Sequence, residues 1–284
     1  MQATIRGTPV NFEERGTGRP VLLVPGLGLD HRITIHHYEP LFAKRPGWRR
    51  IHVDLPGVGG TPGPDWLTSD DQMLEVLVDF ADAVAPNERL VLIGSSWGAY
   101  MARGLADRRA DRLDGLMLVV PVIHADRDQR DLPPRTVLVT DAAVVKSLQP
   151  DEALWLEVAV LQTAETLASY RAAVKPGPAA ADQAFIERLQ PRYAFSFEDR
   201  LTTPIAAPAL ILAGRQDHIC GYRDAAKLLD HMTRASYVVL DRAGHALEDE
   251  QPDLFRALAG EWLDRVEQYA ARPQPRHRED ATGV

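Results

Sequence analysis

The stretch Val91-Leu92-Ile93-Gly94-Ser95-Ser96-Trp97-Gly98-Ala99-Tyr100 sets the tightest limit on how this chain can fold. A short apolar run of strand type meets Gly-x-Ser-x-Gly, and a small-residue helical stretch, Ala99 to Ala106, follows at once. Strand, tight turn and helix is the context in which that motif carries chemistry. Bulky side chains at 94 or 98 would collide with the adjoining strand and helix, and the turn lifts Ser96 Oγ clear of the backbone. The helix that starts there directs free N–H groups, and the positive end of its dipole, at the space above the hydroxyl. The same pattern also occurs by chance in flexible turns. Its meaning therefore rests on whether a base and an orienting acid follow it along the chain.

A length of 284 residues suits one large domain, or one domain carrying an insertion. Hydrophobic residues make up 45% and charged residues 25%, so a substantial core can be buried. The net charge of −8 argues against a broad nucleic-acid-binding face. One cysteine, Cys220, rules out an intramolecular disulfide framework and fits a reducing compartment. It reads as a small loop-filling residue. Arg6, Glu13, Glu14 and Arg15 exclude a signal-peptide core, and the longest apolar run, Leu116 to Ile123, is strand-sized and broken by Pro121. The expectation is a cytoplasmic protein with no membrane partner.

Along the chain, residues 2–14 turn at Gly7-Thr8-Pro9 as an antiparallel hairpin. Val21–Val24 is a continuous apolar run of the kind buried in a parallel sheet, Arg50–Val53 is another short strand, and Gly115–Val120 is another buried one. Met73, Leu77, Phe80, Ala81 and Val84 form one face of an amphipathic helix. This alternation implies a mostly parallel sheet with helices on both faces, an α/β fold. It stops at Pro121. Between 121 and 206 the pattern gives a loop over 126–134, a long helix from Asp151 to about Val174 ended by Lys175-Pro176-Gly177-Pro178, and a second helix over about 180–189. Alternation resumes with Ala209–Leu212, a helix over about 222–231, Tyr237–Leu240, and a last helix whose stripe is Phe255, Leu258, Ala259, Trp262, Leu263 and Val266. The expected organisation is a core of 1–120 and 207–271, a helical cap or lid of 121–206, and a disordered tail of 272–284.

Three of the strand ends carry Ser96, Asp217 and His245. Active groups of a parallel sheet gather where the carboxyl ends of its strands open into loops. Serine needs a base of near-neutral pKa, and the imidazole needs a carboxylate to fix its tautomer and stabilise the imidazolium. With Asp54-Leu55-Pro56-Gly57-Val58-Gly59, Gly214-Arg215-Gln216-Asp217 and Ala243-Gly244-His245 in this order, the chain resembles the α/β-hydrolase superfamily, over residues 8 to 268. The resemblance implies a nucleophile at Ser96, a base at His245, its orienting acid at Asp217, and oxyanion donors at the backbone N–H groups of Leu27 and Trp97. Many relatives place His-Gly before the first donor, where this chain has Pro25-Gly26; a backbone N–H is all that is required. Members that are epoxide hydrolases or dehalogenases use an aspartate nucleophile, which Ser96 argues against. Proline iminopeptidases share Ser-Trp-Gly but carry His-Gly-Gly-Pro-Gly, which is absent.

Other groups read as structural. His31, His36 and His37 lack a convergent carboxylate, since adjacent helical residues point about 100° apart, so no metal site is expected. His218 reads as loop surface or pocket rim. Glu248, Asp249 and Glu250 read as a solvated helix start. Gly57-Val58-Gly59-Gly60 lacks the lysine and spacing of a phosphate loop. The expected activity is hydrolysis of a small-to-medium carboxylic ester, thioester or lactone through an acyl-enzyme, without cofactor, on a small-molecule substrate, by a monomer or homodimer. The same residues also suit C–C bond hydrolysis or a non-hydrolytic cyclisation, and a ligand-binding protein could keep the fold.

Overall fold

A computed structural model of the chain describes residues 1–272. The tail expected to be disordered thus lies, beyond Arg272, outside the described residues. The hairpin is present as β1 (Gln2–Ile5) and β2 (Thr8–Arg15), paired with Ile5 opposite Thr8. There follow β3 (Arg19–Val24), α1 (His31–Phe42), β4 (Trp48–Val53), α2 (Asp70–Val84), β5 (Leu90–Ser95), α3 (Trp97–Arg108) and β6 (Leu113–Val119). After a long excursion the sheet resumes with β9 (Ala209–Gly214) and β10 (Ala235–Leu240), once β7 (Val139–Thr140) and β8 (Leu161–Gln162) have paired with each other away from it.

The eight-stranded sheet has the order β1-β2-β4-β3-β5-β6-β9-β10, antiparallel at β1-β2 and β2-β4 and parallel elsewhere. Its strands are apolar on both faces, and alternate residues go to separate cores. Leu22, Val24, Leu92, Leu116, Leu118 and Ile211 pack with α2 and α3. Val21, Leu23, Val91, Ile93, Met117 and Leu212 pack on the other side with α1 and with α10 (Pro252–Ala270), whose stripe is the one the sequence shows. The period-2 alternation of a pleated strand produces this two-sided burial.

Residues 121–206 add no strand to the sheet, as expected, but their helices differ from the sequence reading. The long helix expected from Asp151 to Val174 is broken into α5 (Ala153–Val158), β8, α6 (Ala164–Ser169) and a π turn over Tyr170–Val174, with a short α4 (Ala142–Lys146) before it. The break is tertiary in origin. Val160 and Leu161 N–H donate to Glu250 at 2.6 and 3.2 Å, and Thr163 caps a new helix by accepting from Thr166 N–H. Lys175 and Pro176 do not stop the chain either: Pro176 opens α7 (Pro176–Ala180), a first-turn position proline suits. Then comes α8 (Gln183–Leu189), capped by Asp182. The helix expected over 222–231 is a 3₁₀ segment, Asp224–Asp230. Among the described residues no helix is long and apolar enough to cross a membrane.

Candidate active site

Ser96 stands between β5 and α3 with φ +57° and ψ −121°, a left-handed backbone unusual for a side chain with Cβ. Its N–H is held by Val119 O of the neighbouring strand at 2.9 Å. The two flanking glycines show why this turn demands them. A Cβ on Gly94 would lie 2.3 Å from Gly98 O, and one on Gly98 would lie 2.3 Å from both Val24 O and Pro25 O. The strained turn is therefore clamped by strand β3 on one side and helix α3 on the other.

His245 lies after β10, on a loop that ends in α9 (Leu247–Glu250). Asp217 follows β9 and is fully buried. His245 Nδ1 meets Asp217 Oδ2 at 3.1 Å, while Asp217 Oδ1 accepts from the N–H groups of Ile219 and Cys220 at 2.9 and 3.0 Å. Gln216 N–H donates to Ala243 O at 2.9 Å, which ties the two loops together. Burial alone would depress the imidazole, but the Asp217 charge and hydrogen bond, with the Cys220 sulfur contributing, raise it well above its ordinary value. Cys220 is thus more than a loop filler: it is buried beside the imidazole.

Ser96, His245, Gly26 and Leu27 line one cavity of about 240 Å³, otherwise walled largely by apolar groups such as Leu29, Ile33, Leu154, Trp155, Val158 and Tyr170. All five residues singled out by the sequence belong to this locale. Asp217 stands behind His245, and Trp97 directly follows Ser96 at the first position of α3. Trp97 N–H, at the first position of α3, is one of the helix-start donors without an intrahelical acceptor, and Leu27 lines the cavity beside Ser96. The Trp97 indole is anchored below by Asp70 Oδ2 at 2.7 Å, and burial pushes that carboxyl up to about 8. Asp70 was not legible as a partner of Trp97, because 27 residues separate them and its pattern is that of a helix start.

Two sequence expectations are corrected at this cavity. Glu248, Asp249 and Glu250 are not a solvated helix start: Glu248 and Glu250 are each 5% exposed. Glu250 accepts from Gly244, Val160 and Leu161 N–H, so it fastens the His245 loop to the covering segment; burial pushes it up to about 7. Secondly, a carboxylate does converge on the α1 histidines. His37 Nε2 meets Asp249 Oδ1 at 2.8 Å, Ser169 Oγ bonds the same oxygen, and His36 Nε2 lies 2.8 Å from Ser169 Oγ. Tyr38 donates to Glu248 Oε1 at 3.0 Å. His36, His37 and Asp249 could offer ligand atoms within 4.8 Å of one another, but the hydrogen bonds among them account for the arrangement. His31 lies apart, bonded to Asp54 at 2.9 Å. His218 is half-buried at the loop, its carbonyl accepting from Arg127.

A doubly covered parallel sheet with a strained serine turn and a buried acid–histidine pair defines an α/β hydrolase. The sequence matches the alpha/beta hydrolase family over residues 21–258, and the chain belongs to that family. It is 23% identical to the 2-hydroxy-6-oxo-6-(2'-aminophenyl)hexa-2,4-dienoic acid hydrolase of Metapseudomonas resinovorans, covering 91% of this chain and 89% of that protein. It is 25% identical to the pimeloyl-[acyl-carrier protein] methyl ester esterase of Legionella pneumophila (strain Paris), over 89% of this chain and 99% of the relative. Among solved structures, an alpha/beta superfamily hydrolase from Oenococcus oeni PSU-1 superposes with a TM-score of 0.86 at 28% identity, covering 94% and 99% of the two chains.

Proposed function

We propose that this enzyme hydrolyses a carboxylic ester through an acyl-enzyme formed on Ser96. The carrying observation is that the strained serine and the Asp217-backed histidine open into the same apolar cavity. Ser96 Oγ attacks the ester carbonyl as His245 Nε2 takes its proton, and Asp217 stabilises the imidazolium. The Leu27 and Trp97 N–H groups receive the oxyanion. His245 returns the proton to the departing alcohol; water then attacks the acyl group by the same route in reverse.

The cavity of about 240 Å³ lies below the roughly 300–1,000 Å³ typical of drug-sized ligands, so the substrate is a small molecule. Residues 121–206 act as its cap, since Leu154, Trp155, Val158 and Tyr170 form much of the wall. C–C hydrolysis is the second reading, in keeping with the relative that acts on a dienoic acid. The wall disfavours it: Glu248 and Asp249 line the cavity, and no arginine or lysine among the described residues does, so an acid substrate would meet like charge. The test is turnover of short-chain aryl and methyl esters beside Ser96→Ala. The variant should fold normally and lose about 10⁴-fold or more in kcat. Equal turnover by the two proteins overturns the assignment.

A further inference from the structure

The polar part of the cavity wall has a use that ester cleavage does not require. It begins next to the nucleophile, where Ser95 interacts with the Tyr38 phenol, and runs through Tyr38 to Glu248. Glu248 lies three residues beyond His245 and is 95% withdrawn from solvent, yet it is held by one donor only. Tyr38 occupies Oε1; Oε2 accepts no hydrogen bond among the described residues. Its neighbour Asp249 is engaged at Oδ1 alone, by both His37 and Ser169. His37 faces both carboxyl groups: burial opposes its charge, but Asp249 and Glu248 outweigh that and raise its pKa. The nearest His37 nitrogen is 3.9 Å from Glu248, beyond a hydrogen bond. Two carboxyl groups thus share one histidine at the cavity wall, each with an oxygen that a donor entering the cavity can meet.

We infer that Glu248 and Tyr38 form a specificity subsite for a primary ammonium group, making the preferred substrate an ester that carries an amine on a short aliphatic chain. This rests on the ester-hydrolase reading above but names what that reading leaves open. An ammonium supplies three donors and the missing positive charge. The surrounding apolar wall suits its methylenes.

Binding of n-hexylamine and 1-hexanol is measured by calorimetry at pH 7.5, where the amine is protonated. The wild-type protein should bind the amine at least tenfold more tightly, and Glu248→Gln should bring the two within about threefold. In parallel, kcat/KM for methyl 6-aminohexanoate should exceed that for methyl heptanoate by tenfold or more, with the ratio falling toward one in the variant. Equal binding of amine and alcohol by the wild type overturns the subsite without any variant. An amine preference that survives Glu248→Gln also overturns it, because the amine then sits elsewhere. The two proposals fail separately. Loss of the preference with Ser96-dependent turnover intact sinks only the subsite, whereas amine binding that needs Glu248 in a protein without esterase activity sinks only the proposed reaction.

Discussion

His245 can accept the Ser96 proton only when neutral, and its surroundings favour the charged form. Asp217 and the Cys220 sulfur raise its pKa against the opposing effect of burial, so the neutral fraction grows only as pH climbs past the ordinary histidine value of about 6.5. The pH profile of kcat/KM should therefore rise with an inflection on the alkaline side of that value. Asp217→Asn removes the charge that holds the proton; its inflection should move to lower pH while kcat drops by about 10⁴-fold. A profile unchanged by the substitution would show that Asp217 does not set the imidazole's charge. At this scale the sequence shows Ser96, Asp217 and His245 clearly, because each follows an apolar strand and each has a residue type matched to one chemical role. Glu248 and Asp249 were hidden for the opposite reason: acidic residues before a helical stripe look like charge placed for the helix dipole. The approach of α1, some 210 residues away in the chain, and of Ser169 in the covering segment buries them.

Elements obey the same division between local and distant causes. The strands were legible because two-sided burial makes them continuously apolar, and α2 and α10 because each carries a stripe with the helical period. The segment from Asp151 to Val174 has no glycine or proline to interrupt it, so nothing local announces the break at Ala159–Thr163. The break follows from Glu250, which draws the N–H groups of Val160 and Leu161 out of a helical ladder and binds Gly244 as well. Removing the acceptor with Glu250→Ala strands three buried donors, each worth about 1–3 kcal/mol. The variant should lose about 3 kcal/mol or more, read as a lower urea midpoint at unchanged slope, whereas Glu250→Gln, which keeps an acceptor oxygen, should lose clearly less. Equal stability of Glu250→Ala and the parent would mean that these bonds do not hold the segment.

For the molecule as a whole, the sequence separates a core from a covering segment, and the packing joins them. Phe185, Leu189 and Phe195 from 121–206 lie in the same buried cluster as Leu22, Leu92 and the inner faces of α2 and α3. Only Trp155, Ala159, Leu167 and Tyr170 form a small cluster of their own. Scanning calorimetry should accordingly give a single transition whose calorimetric and van't Hoff enthalpies agree; two resolved peaks would show independent units. The covering segment departs after β6 and returns into β9, and those two strands are hydrogen-bonded neighbours, with Leu116 opposite Ala209. Because the two strands are parallel, the segment leaves at the carboxyl end of β6, where Val119 faces Leu212, and re-enters at the amino end of β9. A change in its length or sequence therefore reaches the main core and the Glu250 bonds beside His245, as well as the cavity wall.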